Sequence, residues 1–198
     1  FFEAMRIIRQ VKPRYFIFEN VKGLFTSDRG ADFIRCLREI ADIGLYDCEW
    51  QLVNTCWILP QKRERIYFIG HLRGESFPKV FPIEKKATGN SEFIKKARRN
   101  LNIRPVCDIT SAKKLQNGRM MGDKYAFTLT TRNMQGVWDG ENLRFLTPQE
   151  KERLQGFPDG WTAAGKDGEE MSDTARGKLI GRAVTVDIVQ LIAMKLFG

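Results

Sequence analysis

A carboxylate and an amide stand together at Glu19-Asn20, directly after the apolar run Tyr15-Phe16-Ile17-Phe18 and before Val21-Lys22-Gly23-Leu24. Four aromatic or β-branched residues in a row read as a short strand buried on both faces, of the kind found inside a parallel sheet. In open α/β sheets the carboxyl ends of the strands are where ligands and chemistry sit. Glu19 is therefore expected at the rim of the core, where it can hold a proton, with Asn20 opening the following loop. A second set of reactive side chains alternates along Pro60-Gln61-Lys62-Arg63-Glu64-Arg65. The donor forks of Arg63 and Arg65 match a phosphate or the edge of a base, and Gln61 can order them.

Other chemistries find little to work with. Cys36, Cys48, Cys56 and Cys107 show no CxxC spacing and His71 is the only histidine. Neither a zinc site nor a disulfide framework is expected, a His-based triad has little to draw on, and a reducing, cytoplasmic compartment is the default. No apolar run approaches the length of a membrane span.

The chain carries a net charge of +9, which points to an anionic partner. The charge is unevenly spread. Residues 71–146 hold 15 Lys and Arg against 7 Asp and Glu, whereas the rest is nearly balanced at 18 against 17. Within the basic segment Ser91 is expected to cap a helix with Phe93, Ile94, Ala97 and Leu101 on one side. Lys95, Lys96, Arg98 and Arg99 form its other side, a candidate nucleic-acid contact. Beyond it, Arg119, Thr130, Arg132 and Gln135 lie among glycine-broken short strands and loops that can offer polar groups to a groove.

The surrounding pattern supplies the elements. Phe1, Phe2, Met5, Ile7, Ile8 and Val11 recur at helical spacing and Pro13 blocks continuation. Phe33, Ile34, Leu37, Ile40 and Ala41 make a second helix face, with Gly44 as a C-terminal cap. From Tyr46 to Val53 the period changes to two, and Arg65 to Gly70 is a further strand. Thr147-Pro148-Gln149-Glu150 is a helix start with a capping box. Residues 164–170 read as a loop, and a last, mostly apolar helix is expected over Val184 to Phe197.

Taken together, these stretches resemble the DNA (cytosine-5) methyltransferases. Glu19-Asn20-Val21 is similar to the ENV motif, and Pro60-Gln61-Lys62-Arg63-Glu64-Arg65 to PQxRxR. Arg144-Phe145-Leu146-Thr147-Pro148-Gln149-Glu150, continuing to Arg153-Leu154-Gln155-Gly156-Phe157-Pro158, is similar to RxLTxxE…RLQGFP. Gly181-Arg182-Ala183-Val184 resembles the closing GNAV motif, with Arg182 where the family has Asn. The resemblance implies a fold, an α/β, partial doubly wound Rossmann-like domain with a small basic target-recognition region. It implies a domain order too: a catalytic part over 1–70, the recognition region over 71–146, and C-terminal helices over 147–198 that return to the catalytic domain.

It implies chemistry as well. A flipped cytosine would be attacked at carbon 6 by a cysteine thiolate and methylated at carbon 5 from S-adenosylmethionine. Glu19 would hold a proton at ring nitrogen 3 and Asn20 would hold the loop. Gln61, Arg63 and Arg65 would serve the flipped nucleotide and its phosphates. Gly181, Arg182 and Ala183 would lie at the cofactor, and no metal is expected. The family's cofactor loop and Pro-Cys nucleophile have no counterpart here. The chain is therefore expected to be the C-terminal part of a bacterial or phage enzyme, inactive without its N-terminal part on the same polypeptide or a separate subunit. Double-stranded DNA is the expected partner, with no membrane. A non-catalytic DNA-binding remnant and an enzyme acting on transfer RNA are the alternatives.

Overall fold

A computed structural model describes residues 1–74, 76–84, 105–108, 125–131, 135–138 and 143–198. The expected basic helix around residues 91–101, with Lys95, Lys96, Arg98 and Arg99, lies outside the described residues, as do Arg119 and Arg132. The chain divides into two compact units. The first comprises residues 1–54, 64–83 and 192–198, and the second residues 55–63 and 84–191.

The first unit is built from helix α1 (Phe2–Val11), strand β1 (Tyr15–Val21), helix α2 (Ala31–Ala41), strand β2 (Tyr46–Asn54) and strand β3 (Glu64–Leu72). Lys12 closes α1 in a left-handed conformation, its N–H on the Ile8 carbonyl, just ahead of Pro13. The expected glycine stop of α2 is present: Gly44 has φ +73° and donates to the Ala41 carbonyl. The strand order is β1-β3-β2, with β3 antiparallel to both neighbours.

Within this chain the Tyr15–Phe18 strand therefore has an antiparallel neighbour, β3, where a parallel one was expected. β1 and β2 do run in the same direction with α2 between them in sequence, but β3 inserts itself between the two strands. Nor is β1 buried on both faces: Phe16 is buried while Ile17 and Val21 are exposed. Four apolar residues in a row fit equally well a strand with one buried face and one exposed apolar face. The pairing Phe16 with Gly70 is steric. A Cβ on Gly70 would lie 2.0 Å from the Phe16 ring, so the ring crosses β3 where β3 has no side chain.

The core joins Met5 and Ile8 of α1, Phe16 of β1, Ile40 of α2, Tyr46 of β2, and Ile66 and Phe68 of β3. The Tyr46 hydroxyl reaches back to the Pro13 carbonyl at 2.7 Å. Only part of the α1 apolar pattern enters this core, for Phe2, Ile7 and Val11 are exposed.

The second unit holds an antiparallel sheet of β4 (Pro105–Asp108), β5 (Gln135–Trp138) and β6 (Leu143–Phe145) in that order, then helices α3 (Pro148–Leu154) and α4 (Asp173–Arg182). Helix α5 (Val186–Phe197) begins in the second unit and ends in the first. Thr147 caps α3 as the sequence implies, its side chain on the Glu150 N–H and the Glu150 carboxylate on the Thr147 N–H. Leu146, Leu154 and Ile180 pack with Ala126, Leu129 and Val137.

Helix α4 was not apparent from the sequence, because Gly177 and Gly181 weaken its helical signal. Packing explains Gly181: a Cβ there would come within 2.4 Å of the Thr130 backbone. Ser172 supplies the cap by accepting from the Ala175 N–H. No helix among the described residues is long and apolar enough to cross a membrane.

Candidate active site

The strand register carries Glu19 and Asn20 to one end of the first unit's sheet. Glu19 faces Tyr67 across the β1–β3 pair and Val21 faces Arg65. The Arg65 Nε lies 2.8 Å from Glu19 Oε1, and both side chains are largely shielded from solvent. That contact is electrostatic, without an aligned N–H···O bond between these two atoms. A second guanidinium nitrogen of Arg65 donates to the Glu64 carbonyl at 2.8 Å, which fixes the side chain's direction. Asn20 Oδ1 accepts from the Val21 N–H at 2.8 Å and so holds the backbone at the strand's end. Beside them is a cleft of about 210 Å³ lined by Phe1, Ala4, Phe18, Glu19, Asn20 and Phe68. Aromatic walls with one carboxyl and one amide suit a heteroaromatic ring.

Gln61 and Arg63 belong to the second unit and are buried. Gln61 Nε2 and both terminal guanidinium nitrogens of Arg63 are directed at main-chain carbonyls. Arg63 donates to the Leu129 carbonyl at 3.2 Å and to the Ala183 carbonyl at 2.7 Å. Gln61 Nε2 lies 3.4 Å from the Leu154 carbonyl. Residues 60–62 also pair with Ala126, through Lys62 N–H to the Ala126 carbonyl and Ala126 N–H to the Pro60 carbonyl, each 2.7 Å. The side chains expected to meet a nucleotide thus tie together three stretches of main chain.

Gln135 behaves likewise, donating to the Thr128 carbonyl at 2.8 Å, whereas Thr130 is exposed. Of the stretch assigned to the cofactor, Gly181 is occupied by its close approach to Thr130 and Ala183 offers its carbonyl to Arg63. Arg182 is exposed at the end of α4.

Two groups that sequence reasoning passed over organise the second unit. Glu152 is 0 % exposed. Its carboxylate accepts from the Gly160 and Thr162 N–H groups at 2.8 Å each, from the Thr162 hydroxyl at 2.5 Å and from Arg176 at 3.1 Å. Burial pushes this carboxyl upward, but the bonds from Thr162, Arg176 and Gly160 outweigh it and hold it below the ordinary carboxylate range. Asp187, two residues into α5, is the other. A glutamate among the charged residues of α3 reads as solvated surface, and no spacing sets Glu152 apart.

None of the described thiols with a resolved shift is an activated nucleophile. Burial raises Cys36, and burial together with Glu49 raises Cys48 to about 11, the opposite of what a thiolate needs.

Comparison with known proteins gives this geometry its setting. The family model for C-5 cytosine-specific DNA methylase matches residues 1–133 and 85–198. The type II methyltransferase M.DsaV of Dactylococcopsis salina is 28% identical over 222 residues, covering 100% of this chain and 61% of that protein. The type II methyltransferase M1.ScrFI of Lactococcus lactis subsp. cremoris is 30% identical over 221 residues, covering 99% of this chain and 54% of that protein. The chain thus spans little more than half the length of these relatives. Among solved structures, that of S. pombe Dnmt2 methyltransferase superposes with a TM-score of 0.63 at 18% identity, over 98% of this chain and 70% of the other. The mixed α/β architecture is therefore part of a Rossmann-like methyltransferase fold, and the chain belongs to the C-5 cytosine-specific DNA methylase family.

Proposed function

We propose that this chain is part of an enzyme that transfers a methyl group to carbon 5 of cytosine in double-stranded DNA. One observation carries the reading. Glu19 stands on the wall of an aromatic-lined cleft with the Arg65 guanidinium 2.8 Å from its carboxylate. A pyrimidine ring resists nucleophiles, so attack at carbon 6 needs electron density drawn off the ring. Glu19 meets that need by presenting a proton to ring nitrogen 3. Arg65 orients Glu19 and faces the flipped nucleotide, while Asn20 holds the strand's end through the Val21 N–H.

Gln61 and Arg63 order the main chain of the second unit, by bonding to the Leu154, Leu129 and Ala183 carbonyls. S-adenosylmethionine, when bound, supplies the methyl group, and Arg182 is the residue of this chain suited to its carboxylate. Raised thiols at Cys36 and Cys48 support a nucleophile contributed by the remaining part of the enzyme, on the same polypeptide or a separate subunit. Residues 1–70 form the catalytic part. Residues 71–146 are the DNA-reading region, whose candidate contacts by residue type are Lys95, Lys96, Arg98, Arg99, Arg119, Thr130 and Arg132, with Gln135 ordering the Thr128 backbone, and 147–198 are the C-terminal helices of the enzyme. The compartment is the bacterial cytoplasm.

The test is methyl transfer by the complete enzyme carrying Glu19→Gln. Turnover falls by about 10²–10⁴-fold, the usual worth of a positioned acid or base, while DNA affinity is kept. Unchanged turnover removes Glu19 from the reaction. These 198 residues alone form no 5-methylcytosine, and product from them alone overturns the assignment of the nucleophile to another part.

A further inference from the structure

Asp187 is 3 % exposed, and its Oδ2 has no hydrogen-bond partner among the described residues. The carboxyl is pressed against Gly156: a Cβ there would lie 2.2 Å from Oδ2, and Gly156 keeps φ +80°. The start of α5 docks on this same segment. The Val186 N–H donates to the Gln155 carbonyl at 2.9 Å. The Thr185 hydroxyl donates to Gln155 Oε1 at 3.1 Å and lies 2.9 Å from the Thr55 hydroxyl. Gln155 Nε2 reaches the Ile180 carbonyl at 3.4 Å. The unpartnered oxygen therefore sits in the middle of the contact that seats the first turn of α5.

The charged groups of the neighbouring elements are committed elsewhere. On α3, Glu152 is bonded to Thr162 and Arg176, and Arg153 is paired with Asp159. Lys151 lies beside Gly177 and is influenced by Asp173 and Glu150. Arg63 holds the Leu129 and Ala183 carbonyls, and Arg182 of α4 is exposed. Burial raises the Asp187 carboxyl to about 6, against the opposing effect of its own backbone N–H.

We propose that Asp187 is a positioning residue that sets how firmly the start of α5, and with it the Gly181–Val184 stretch, is seated on Gln155–Gly156. With a proton on Oδ2 the carboxyl packs against Gly156 as a neutral group. Ionised, it is a buried charge held only by its own backbone N–H, with no partner among the described residues at Oδ2, and the first turn of α5 is held weakly. Any consequence for the cofactor rests on the reading above that places Gly181–Val184 beside it.

Hydrogen exchange at residues 183–190, corrected for intrinsic rate and measured in the full polypeptide that carries this chain, tests the idea. Free of its burial, Asp187 titrates near its ordinary value of 3.8. Wild-type protection should therefore fall by up to tenfold per pH unit between about pH 4 and 6 and then level off. Asp187→Asn should abolish this slope and be about 100-fold more protected than the wild type at pH 7. A flat wild-type profile overturns the proposal whether or not the variant folds, and so does a variant that keeps the slope. Isothermal titration with S-adenosylmethionine separates the two readings. If exchange follows the expected pattern but affinity is the same in both proteins, the seating stands and the assignment of Gly181–Val184 to the cofactor falls.

Discussion

The two units of the chain are held together by different physics. In the first, helix and strand faces close over Met5, Ile8, Phe16, Ile40, Tyr46, Ile66 and Phe68. Its principal polar knot is Glu49, which accepts from His71 Nε2 at 2.8 Å and from the Val80 and Phe81 N–H groups at 3.0 Å. In the second, every buried polar residue of the described chain other than His71 is gathered: Thr55, Gln61, Arg63, Lys151, Glu152, Gln155, Thr162, Thr185 and Asp187. Hydrophobic burial is non-directional and tolerates changes of shape. A hydrogen bond to a buried charge fixes direction, and losing it leaves a group stranded. The second unit therefore gains defined positions for particular loops and accepts sensitivity to single polar changes.

Removing the hub of the second unit should have the largest effect. Glu152→Ala strands Arg176 and the Gly160 and Thr162 N–H groups, and breaking a buried pair from one side costs about 3–5 kcal/mol. The sign with pH can be worked out. Glu152 is held below its ordinary 4.5 in the fold. Its contribution is complete above that value and disappears as pH falls through the lower, folded value. Chemical denaturation at pH 7 and at pH 3 should show the Ala variant's deficit shrinking with acid. A deficit independent of pH would mean that Glu152 contributes packing rather than charge.

Arg63→Lys comes next. One ammonium cannot reproduce the two bonds to Leu129 and Ala183, and a loss of about 2 kcal/mol is expected for hydrogen bonds to a charged group. The spatial effect sharpens the contrast between the units. Hydrogen exchange should rise around Leu129 and Ala183, two stretches far apart in sequence. Increased exchange at only one of them would show that Arg63 does not join the two.

The first unit supplies the reference. Ile66→Val removes one buried methyl group and should cost about 1 kcal/mol, with no dependence on pH between 4 and 8. A loss as large as that of Glu152→Ala would erase the distinction between the units.

The same division explains what the sequence could disclose. Apolar periodicity located α1, α2, β2 and β3, and the Thr147-x-x-Glu150 pair located the start of α3, because each is a local signal. The antiparallel insertion of β3 between β1 and β2 is a tertiary choice that the run Tyr15–Phe18 does not encode. Helix α4 was hidden by Gly177 and Gly181, the second of which is required by close packing on Thr130. At the candidate site, residue type and order singled out Glu19, Asn20 and Arg65, and the strand register brings Arg65 within 2.8 Å of Glu19. The backbone-directed work of Gln61 and Arg63 was not, since an arginine fork fits a carbonyl as well as a phosphate. Glu152 and Asp187 gave no local sign at all.

Lys151 offers the finest test of the second unit's polar core. It is 6 % exposed, and burial pulls its amine below the ordinary 10.5 against the opposing charges of Asp173 and Glu150. An amine disfavoured as an ammonium in the fold weakens the fold at every pH where the unfolded chain would protonate it. Lys151→Met keeps a flexible stem of similar length beside Gly177 and removes that cost. It should stabilise the protein at pH 7, with the gain shrinking as pH rises through the lowered folded value toward 10.5. Denaturation midpoints of the two proteins at pH 7 and pH 10 read this directly. A destabilised Met variant would show that the amine is held in place for a bond it makes in the working enzyme, and Lys151 would then join Glu152 among the groups that direct the second unit's loops.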